Sequence, residues 1–219
     1  MATRQMLAEL ARVNASVAGT PLALESVGGV EAARRVREGE AFDLVFLASD
    51  AMAKLINAGH LLGDSRIDLV RSQVAVAVTL GATVPNIGTE ADLRQAVLSA
   101  ASVGYSTGPS GTSLLALFTR WGIMAEVQAK LRQAPAGVPV AAMLASGDVT
   151  LGFQQRSEMI DATGSVVIGD LPAEIAITTI FSGAVCATSH RADEARALLV
   201  AFTDPSYAAI KHLHGMAAV

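Results

Sequence analysis

Apolar residues recur along the chain in two alternating patterns. Between residues 4 and 17 they fall every three or four positions, which is typical of an amphipathic helix, and this spacing returns at 191–202 and after Asp204-Pro205. Nearly chargeless short runs separate the helical segments, at 42–47, 74–80, 101–105, 151–153 and 175–187. Pro21–Leu24 is a shorter apolar run that predicts a further strand. Helices that alternate with buried strands predict an α/β fold built on mixed, mostly parallel sheets flanked by helices.

This pattern contains several junctions at which a strand runs directly into a helix. They lie at Ser26–Val30, Ala48–Asp50, Ser106–Ser113 and Leu151–Ser157. Open α/β sheets bind ligands at the carboxyl ends of their strands, beside the N-termini of the helices that follow. We therefore expect the binding residues to come from these junctions.

The junction from Tyr105 to Ser113 has the strongest binding signal. It reads Tyr-Ser-Thr-Gly-Pro-Ser-Gly-Thr-Ser and joins a short apolar run to an amphipathic one. Such a loop directs backbone N–H groups at one point, and it has more hydroxyl groups than helix capping requires. We expect Ser110, Gly111 and Thr112 to bind a small anionic ligand; an ordinary capped loop is the alternative.

Composition and charge exclude several other classes of protein. The formal net charge is −4, aromatic residues make up 4% of the chain, and no run of Lys or Arg occurs, so we expect no nucleic acid partner. The only cysteine, Cys186, excludes an internal disulfide and a cysteine-based zinc site. Residues 175–190 are too short and too polar to span a bilayer, so we expect no membrane insertion.

Catalytic and metal-binding motifs are weak in this sequence. Gly108–Thr112 departs from a nucleophile elbow, because Thr112 stands where that motif requires a second glycine. His212 and His214 diverge on a predicted helix, which favours a solvated helix end over a metal site. We expect no catalytic residue, no metal ion and no cofactor, although the sequence leaves an enzymatic role open.

Several segments together resemble the type 2 periplasmic solute-binding proteins of the molybdate-binding class. The segments that carry the resemblance occur in the family's order: Ser26–Gly29, Arg34–Val45, Ala48–Asp50, Leu55–Gly59, Tyr105–Thr112, Leu151–Phe153 and Asp204–Met216. The resemblance implies a type 2 periplasmic-binding-protein-like fold with two lobes joined by hinge strands. Residues 1–76 and 182–219 would form lobe one, residues 77–181 would form lobe two, and a small anion would bind in the cleft between them.

The resemblance also implies which residues contact the ligand. Thr3, Gly28, Gly29 and Ser49 would contribute from lobe one, and Gln154 and Gln155 would contribute from lobe two. Molybdate binders present serine hydroxyls at the Gly28-Gly29 turn and a tyrosine where Gln155 stands. Because amides both donate and accept hydrogen bonds, this departure suits a small carboxylate. Family members begin with a strand that this sequence lacks, and Ala2-Thr3 matches only the end of the loop after it.

These observations support three hypotheses about function. The first is a solute-binding protein that captures a small oxyanion or carboxylate by hinge closure, for an ABC-type transporter with a membrane permease as its partner. The alternative is an intracellular isomerase or lyase of small carboxylates on the same scaffold. The third is the effector-sensing domain of a regulator. The family resemblance implies a periplasmic location, whereas no secretory leader pattern precedes the first helix, which leaves a cytoplasmic location open.

Overall fold

The computed structural model describes residues 2–18, 22–135 and 137–219, apart from the side chains of residues 16–18. It divides into two compact units, of which the first is Met1–Ser72 with Thr179–Val219 and the second is Gln73–Thr178. The chain passes between the units within two strands, β2 (Ile67–Thr79) and β7 (Thr178–Val185). The lobe boundaries predicted at residues 76/77 and 181/182 fall in these same strands.

The first unit places helices around a small sheet. Besides its parts of β2 and β7 it contains α1 (Arg4–Ala18), α2 (Gly29–Arg37), β1 (Leu44–Ala48), α3 (Ser49–Asn57), α8 (Ala192–Ala201), α9 (Ala208–Leu213) and β8 (Ala217–Ala218). The strand order is β1-β7-β2, with β1 antiparallel to β7 and β8 antiparallel to β2. The strand predicted at Pro21–Leu24 is wrong for its described part: residues 22–28 form no strand, and Pro21 lies outside the described residues.

The core of this unit follows the hydrophobic pattern of its helices. Met6 and Leu10 of α1 are fully buried in a cluster with Val70 of β2 and Phe202. A second cluster packs α2 and α3 on β1, and it includes Val36, Leu47, Met52 and Leu55. Helix α1 therefore forms where the three- to four-residue spacing predicts it.

The second unit contains the strand that leads into the predicted binding loop and the two strands that pair with it. Besides the remainder of β2 it contains α4 (Glu90–Ser99), β3 (Val103–Tyr105), α5 (Pro109–Arg120), α6 (Met124–Val127), β4 (Leu131–Gln133), α7 (Val140–Ser146), β5 (Leu151–Gln155) and β6 (Ser165–Asp170). Thr89 caps α4 as its sequence predicts, because the threonine hydroxyl accepts a hydrogen bond from the Asp92 N–H at 3.2 Å.

Strand pairing in the second unit is mixed. β3 lies parallel to both β4 and β5, whereas β2 pairs antiparallel with β5 and β6. The predicted mixed α/β architecture is confirmed, but among the described strands parallel pairing is limited to β3 and its two neighbours. The long strands account for the difference. β2 runs antiparallel to β5 and β6, and β7 runs antiparallel to β1.

Helices cover both faces of β3 and β5. A Cβ atom on Gly152 would lie 2.8 Å from side-chain carbons of Val140 and Leu144, so α7 packs directly on the backbone of β5. On the opposite face the Phe153 ring meets Phe118 of α5 edge to face, at 6.1 Å between ring centroids. This packing makes β3 and β5 a buried platform for the loop that leads into α5.

The start of α5 is held by one close backbone approach. A Cβ atom on Gly111 would lie only 1.9 Å from the Ser106 carbonyl oxygen, far inside van der Waals contact. The Ser106 and Ser110 hydroxyl oxygens lie 2.9 Å apart and form a hydrogen bond across the same turn. Sterics therefore require glycine at position 111. They do not require it at Gly108, where a Cβ would meet nothing within 4 Å.

Lys211 of α9 is an unusual core residue. The residue is only 2% exposed, and its Nζ lies 3.4 Å from the Leu69 carbonyl oxygen. Burial lowers the pKa of the Lys211 ammonium from its ordinary value of 10.5. The charged form is therefore less favourable in the folded protein than in the unfolded chain.

Replacing Gly111 with alanine should disrupt this turn. The added methyl group must displace the Ser106 carbonyl, so we expect Gly111→Ala to lower the free energy of unfolding by about 1–3 kcal/mol. Thermal and chemical unfolding would measure the loss. Gly108→Ala is the matched control, because its backbone has ordinary angles, φ −83° and ψ −173°, and open space for a Cβ. Equal stability of the two variants would contradict the close approach.

Replacing Lys211 with methionine should stabilise the fold at neutral pH. Since the folded-state pKa is lowered, the free energy of unfolding of the wild type should rise as pH increases through that pKa toward 10.5. We expect Lys211→Met to raise the melting temperature at pH 7 by about 2–4 °C, which corresponds to about 1 kcal/mol, and to lose this pH dependence. Lys54→Met is the control because Lys54 is exposed. Destabilisation by Lys211→Met at pH 7 would show that the ammonium group supports the fold.

Candidate functional site

The ends of three parallel strands form the core of the candidate site. In β3 and β5 Tyr105 lies opposite Phe153, and in β3 and β4 it lies opposite Gln133. Because the three strands run in the same direction, their carboxyl ends meet at one edge of the sheet. The structure therefore brings the Ser106–Gly108 loop and the Gln154-Gln155 pair to a common edge within the second unit, which the sequence predicts only as separate junctions.

The loop offers hydrogen-bond donors without using them to cap its helix. Gly108 is the N-cap of α5 and provides no side-chain cap, while Pro109 occupies the first turn and has no N–H. In the Ser106–Ser110 hydroxyl pair one O–H donates to the other oxygen, so the second O–H is directed elsewhere. Ser110 and Gly111 are buried, while Thr112 is exposed. Together with the helix dipole, these groups can bind an anionic oxygen.

Gln154 and Gln155 lie on opposite faces of β5, as successive strand residues must. Gln154 faces α7, where its Oε1 accepts a hydrogen bond from the Val140 N–H at 2.6 Å. Gln155 shares the other face with Phe153, which packs against α5, and it is 4% exposed. Of the two predicted amides, Gln155 therefore lies on the α5 side of the sheet and Gln154 satisfies the start of α7.

Glu158 lies just beyond the carboxyl end of β5, at the end of the 3-10 helix Arg156–Glu158. Its Oε2 accepts a hydrogen bond from Gln154 Nε2 at 3.0 Å. Burial raises the pKa of the Glu158 carboxyl group above its ordinary value. Sequence reasoning did not select this residue; the available signal was an acidic side chain three positions after the end of a buried strand.

Arg156 does not present a free positive charge at this edge. Its Nη1 lies 3.0 Å from Asp170 Oδ1, and both side chains are about one-third exposed, at 35% and 36%. The pair holds the guanidinium beside β6. Anion binding by this part of the second unit would therefore depend on neutral donors: hydroxyl, amide and backbone N–H groups.

The lobe-one residues that sequence reasoning selected lie at helix starts in the first unit. Gly28 is the N-cap of α2, with extended angles of φ −60° and ψ 145°, and Gly29 begins that helix. A Cβ on Gly28 would meet nothing within 4 Å, so the local backbone does not require glycine there. Ser49 begins α3, and Thr3 is a buried residue directly before α1.

The first unit also contains a pocket of 390 Å³ beside β1. Thr3 and Ser26 line its polar part, while Leu7, Val45 and Phe46 line its apolar part. Arg35, another lining residue, is already paired with Glu25 at 2.6 Å and with Glu40. The pocket therefore combines an apolar wall with charged side chains, because Arg4, Glu25 and Arg35 all line it.

The described ranges contain neither a metal-binding cluster nor a membrane-spanning helix. No group of three or more His, Cys, Asp or Glu side chains in residues 2–18, 22–135 and 137–219 is arranged to hold a metal ion. Across the same residues, no helix has the length and apolarity needed to cross a membrane.

Comparison with solved structures identifies the fold. The periplasmic molybdate-binding protein of Azotobacter vinelandii superposes with a TM-score of 0.80, covers 99% of this chain and 96% of its own, and is 19% identical. A substrate-binding domain described as part of a molybdenum ABC transporter from Clostridium difficile gives a TM-score of 0.77 at 16% identity, covering 100% of this chain and 95% of its own. These likenesses establish the periplasmic-binding-protein-like fold that the sequence predicts.

Sequence comparison gives a nearer relative and a family. An aconitate isomerase of Pseudomonas sp is 38% identical over 166 residues, which are 75% of this chain and 63% of that protein, so less than two thirds of the relative is matched. The family of bacterial extracellular solute-binding proteins matches residues 1–217. The chain therefore belongs to the bacterial extracellular solute-binding protein family, as its sequence motifs indicate.

Proposed function

We propose that this protein is an isomerase of small polycarboxylates of the aconitate type. One observation carries the proposal: the 38% identity with an aconitate isomerase, against 19% and 16% with two molybdate-related structures of the same fold. Of the functions that the sequence left open, this is the enzymatic alternative. The family and the fold are common to binders and to this enzyme, so they do not distinguish the two.

The carboxyl edge of the second unit has groups suited to carboxylates. A carboxylate oxygen at the start of α5 could accept hydrogen bonds from the Ser110 N–H and from the Ser106–Ser110 hydroxyl pair, since the Gly111 and Thr112 N–H groups donate to the Gly108 carbonyl oxygen. Gln155, buried on the same face of β5, can both donate and accept. Such a site suits the carboxylate groups of a small polycarboxylate, because its donors are neutral hydroxyl, amide and backbone N–H groups.

Cys186 argues against one chemical route to isomerisation. Reversible addition of a thiolate to a double bond would permit rotation, but it requires an accessible thiolate. Cys186, the only cysteine of the chain, is 2% exposed, and burial, with a smaller contribution from Asp43, raises its pKa to about 12. Thiolate addition therefore does not fit this protein, and we propose proton transfer as the route of isomerisation.

Solute capture for a transporter is the second candidate function. Its support is the family itself, whose description is of extracellular solute-binding proteins and which matches residues 1–217. In that role the protein would hold its ligand unchanged, would require a membrane permease and would act outside the cytoplasm. The isomerase proposal requires no permease.

Incubation with each pure isomer of aconitate tests the proposal. We expect proton NMR to show the other isomer appearing until both starting materials give the same mixture. Stabilisation of the protein by aconitate, measured by thermal unfolding, with no change of the ligand over hours would favour solute capture. Stabilisation by molybdate or tungstate alone would contradict the carboxylate assignment altogether.

Ser110 tests whether the α5 loop belongs to the site. Removal of a hydroxyl that hydrogen-bonds a charged oxygen should weaken aconitate binding about tenfold or more, so we expect this loss in Ser110→Ala by calorimetry. Ser113→Ala is the matched control, because Ser113 lies on an exposed position of the same helix. Unchanged affinity in Ser110→Ala would remove the hydroxyl pair from the site.

A further inference from the structure

We propose that Glu158 is the catalytic residue that transfers the proton during isomerisation. This inference rests on the proposed function and assigns its chemical step to one side chain.

Glu158 lies on the chain segment that leaves the carboxyl edge. β5 ends at Gln155, and the 3-10 helix that follows ends at Glu158. The strand end that precedes it is adjacent to the end of β3, where the Ser106–Gly108 loop begins. The segment that carries Glu158 therefore leaves the sheet at the same edge as the Ser106–Gly108 loop, and its carboxyl group contacts Gln154, the β5 amide on the α7 side.

Gln154 fixes one oxygen of the Glu158 carboxylate. The Val140 N–H donates to Gln154 Oε1 at 2.6 Å, which orients the amide so that its NH₂ group faces away from α7. Gln154 Nε2 then donates to Glu158 Oε2 at 3.0 Å. Two successive hydrogen bonds, from the Val140 N–H to a 4%-exposed amide and from that amide to Oε2, hold the carboxylate in place, and we assign the proton transfer to its other oxygen, Oε1.

Glu158 differs from Asp170, an acidic side chain of the same unit, in its hydrogen-bond partner. Asp170 is held by Arg156, whose guanidinium stabilises its negative charge. Glu158 is hydrogen-bonded to a neutral amide instead, and burial raises the pKa of its carboxyl group. A carboxylate with a raised pKa is a stronger base and, once protonated, remains a usable acid near neutral pH.

The proposed step moves one proton and two electron pairs within aconitate and consumes no other reactant. Aconitate carries a CH₂ group next to its double bond. Glu158 takes a proton from that CH₂ carbon, and the C–H electron pair becomes a new double bond to the central carbon. The former double-bond electrons move to the outer vinylic carbon, which receives a proton from the protonated Glu158. The product has the connectivity of the substrate and a newly set double-bond geometry, and Glu158 returns to the carboxylate.

Aconitate labelled with deuterium on its CH₂ group tests this assignment. In the wild type we expect deuterium NMR to show one deuterium on the vinylic carbon of the product, which is the former methylene carbon. The abstracted deuterium reaches the new methylene carbon or is exchanged with water. Glu158→Gln keeps the size and the hydrogen-bonding capacity of the side chain but cannot take up the proton. We expect it to lose about 100-fold or more of the turnover and label movement, while calorimetry shows aconitate binding within a few-fold of the wild type.

Two further variants keep the test informative. Glu174→Gln is the matched control, because Glu174 is an exposed acid of the same unit and should retain wild-type turnover. Glu158→Asp shortens the side chain by one methylene group and should lower turnover without a comparable loss of binding. It serves as the second variant if Glu158→Gln unfolds, which circular dichroism would reveal.

The outcomes separate this inference from the function on which it rests. Turnover in folded Glu158→Gln within threefold of the wild type would overturn the role of Glu158 and leave the isomerase function intact. A wild-type product that keeps both deuterium atoms on its methylene carbon, with none on the vinylic carbon, would also overturn it, because no C–D bond would then have broken. A wild-type protein that isomerises no aconitate would refute the proposed function, and the role of Glu158 with it.

Discussion

The parallel pairing of β3 with β5 is the constraint on which the candidate site depends. Tyr105 lies opposite Phe153, so the loop after β3 and the segment after β5 leave the sheet at the same edge. Glycines on the α7 face allow that helix to pack directly on the strands, and Phe118 covers the other face. With both faces covered by helices, the loops that leave the sheet at this edge are where we expect a ligand to meet polar groups.

Two helices begin near this edge, and their first turns are used differently. At the start of α7 the Val140 N–H donates to Gln154, which is a partner from within the protein. At the start of α5 the N-cap is Gly108, which has no side chain to contribute. The first turn of α5 is satisfied within its own backbone instead, because the Gly111 and Thr112 N–H groups donate to the Gly108 carbonyl oxygen. No side chain caps this turn, so a ligand at the start of α5 would meet the Ser110 N–H and the hydroxyl pair.

Local structure could be predicted from the sequence because its causes are local. The apolar spacing of α1, the Thr89 cap of α4 and the strand–loop–helix junction at Tyr105 all depend on neighbouring residues. The α/β class followed from their alternation. The strand predicted at Pro21–Leu24 failed in its described part because an apolar run becomes a strand only where another strand pairs with it.

The arrangement of the candidate site depends on contacts between distant residues, which the sequence does not display. Alternation along β5 places Gln154 and Gln155 on opposite faces, but only the packing of α5 and α7 reveals which face each amide occupies. Glu158 was missed for the same reason: its partner, Gln154, is itself held by Val140. The ligand contacts predicted for Thr3, Gly28, Gly29 and Ser49 stay predictions.

The ion pair between Arg156 and Asp170 has a consequence for the chemistry of the edge. Arg156 is two positions from Glu158, and a guanidinium beside that carboxylate would favour its charged form and lower its pKa. The Arg156 guanidinium instead pairs with Asp170 of β6, at 3.0 Å from Nη1 to Oδ1. Burial is the largest influence on the pKa of Glu158. The negative charges of a bound polycarboxylate would act in the same direction as burial, because like charges disfavour ionisation. Binding of such a substrate would therefore strengthen Glu158 as a base, and recognition by neutral donors rather than cations preserves that effect.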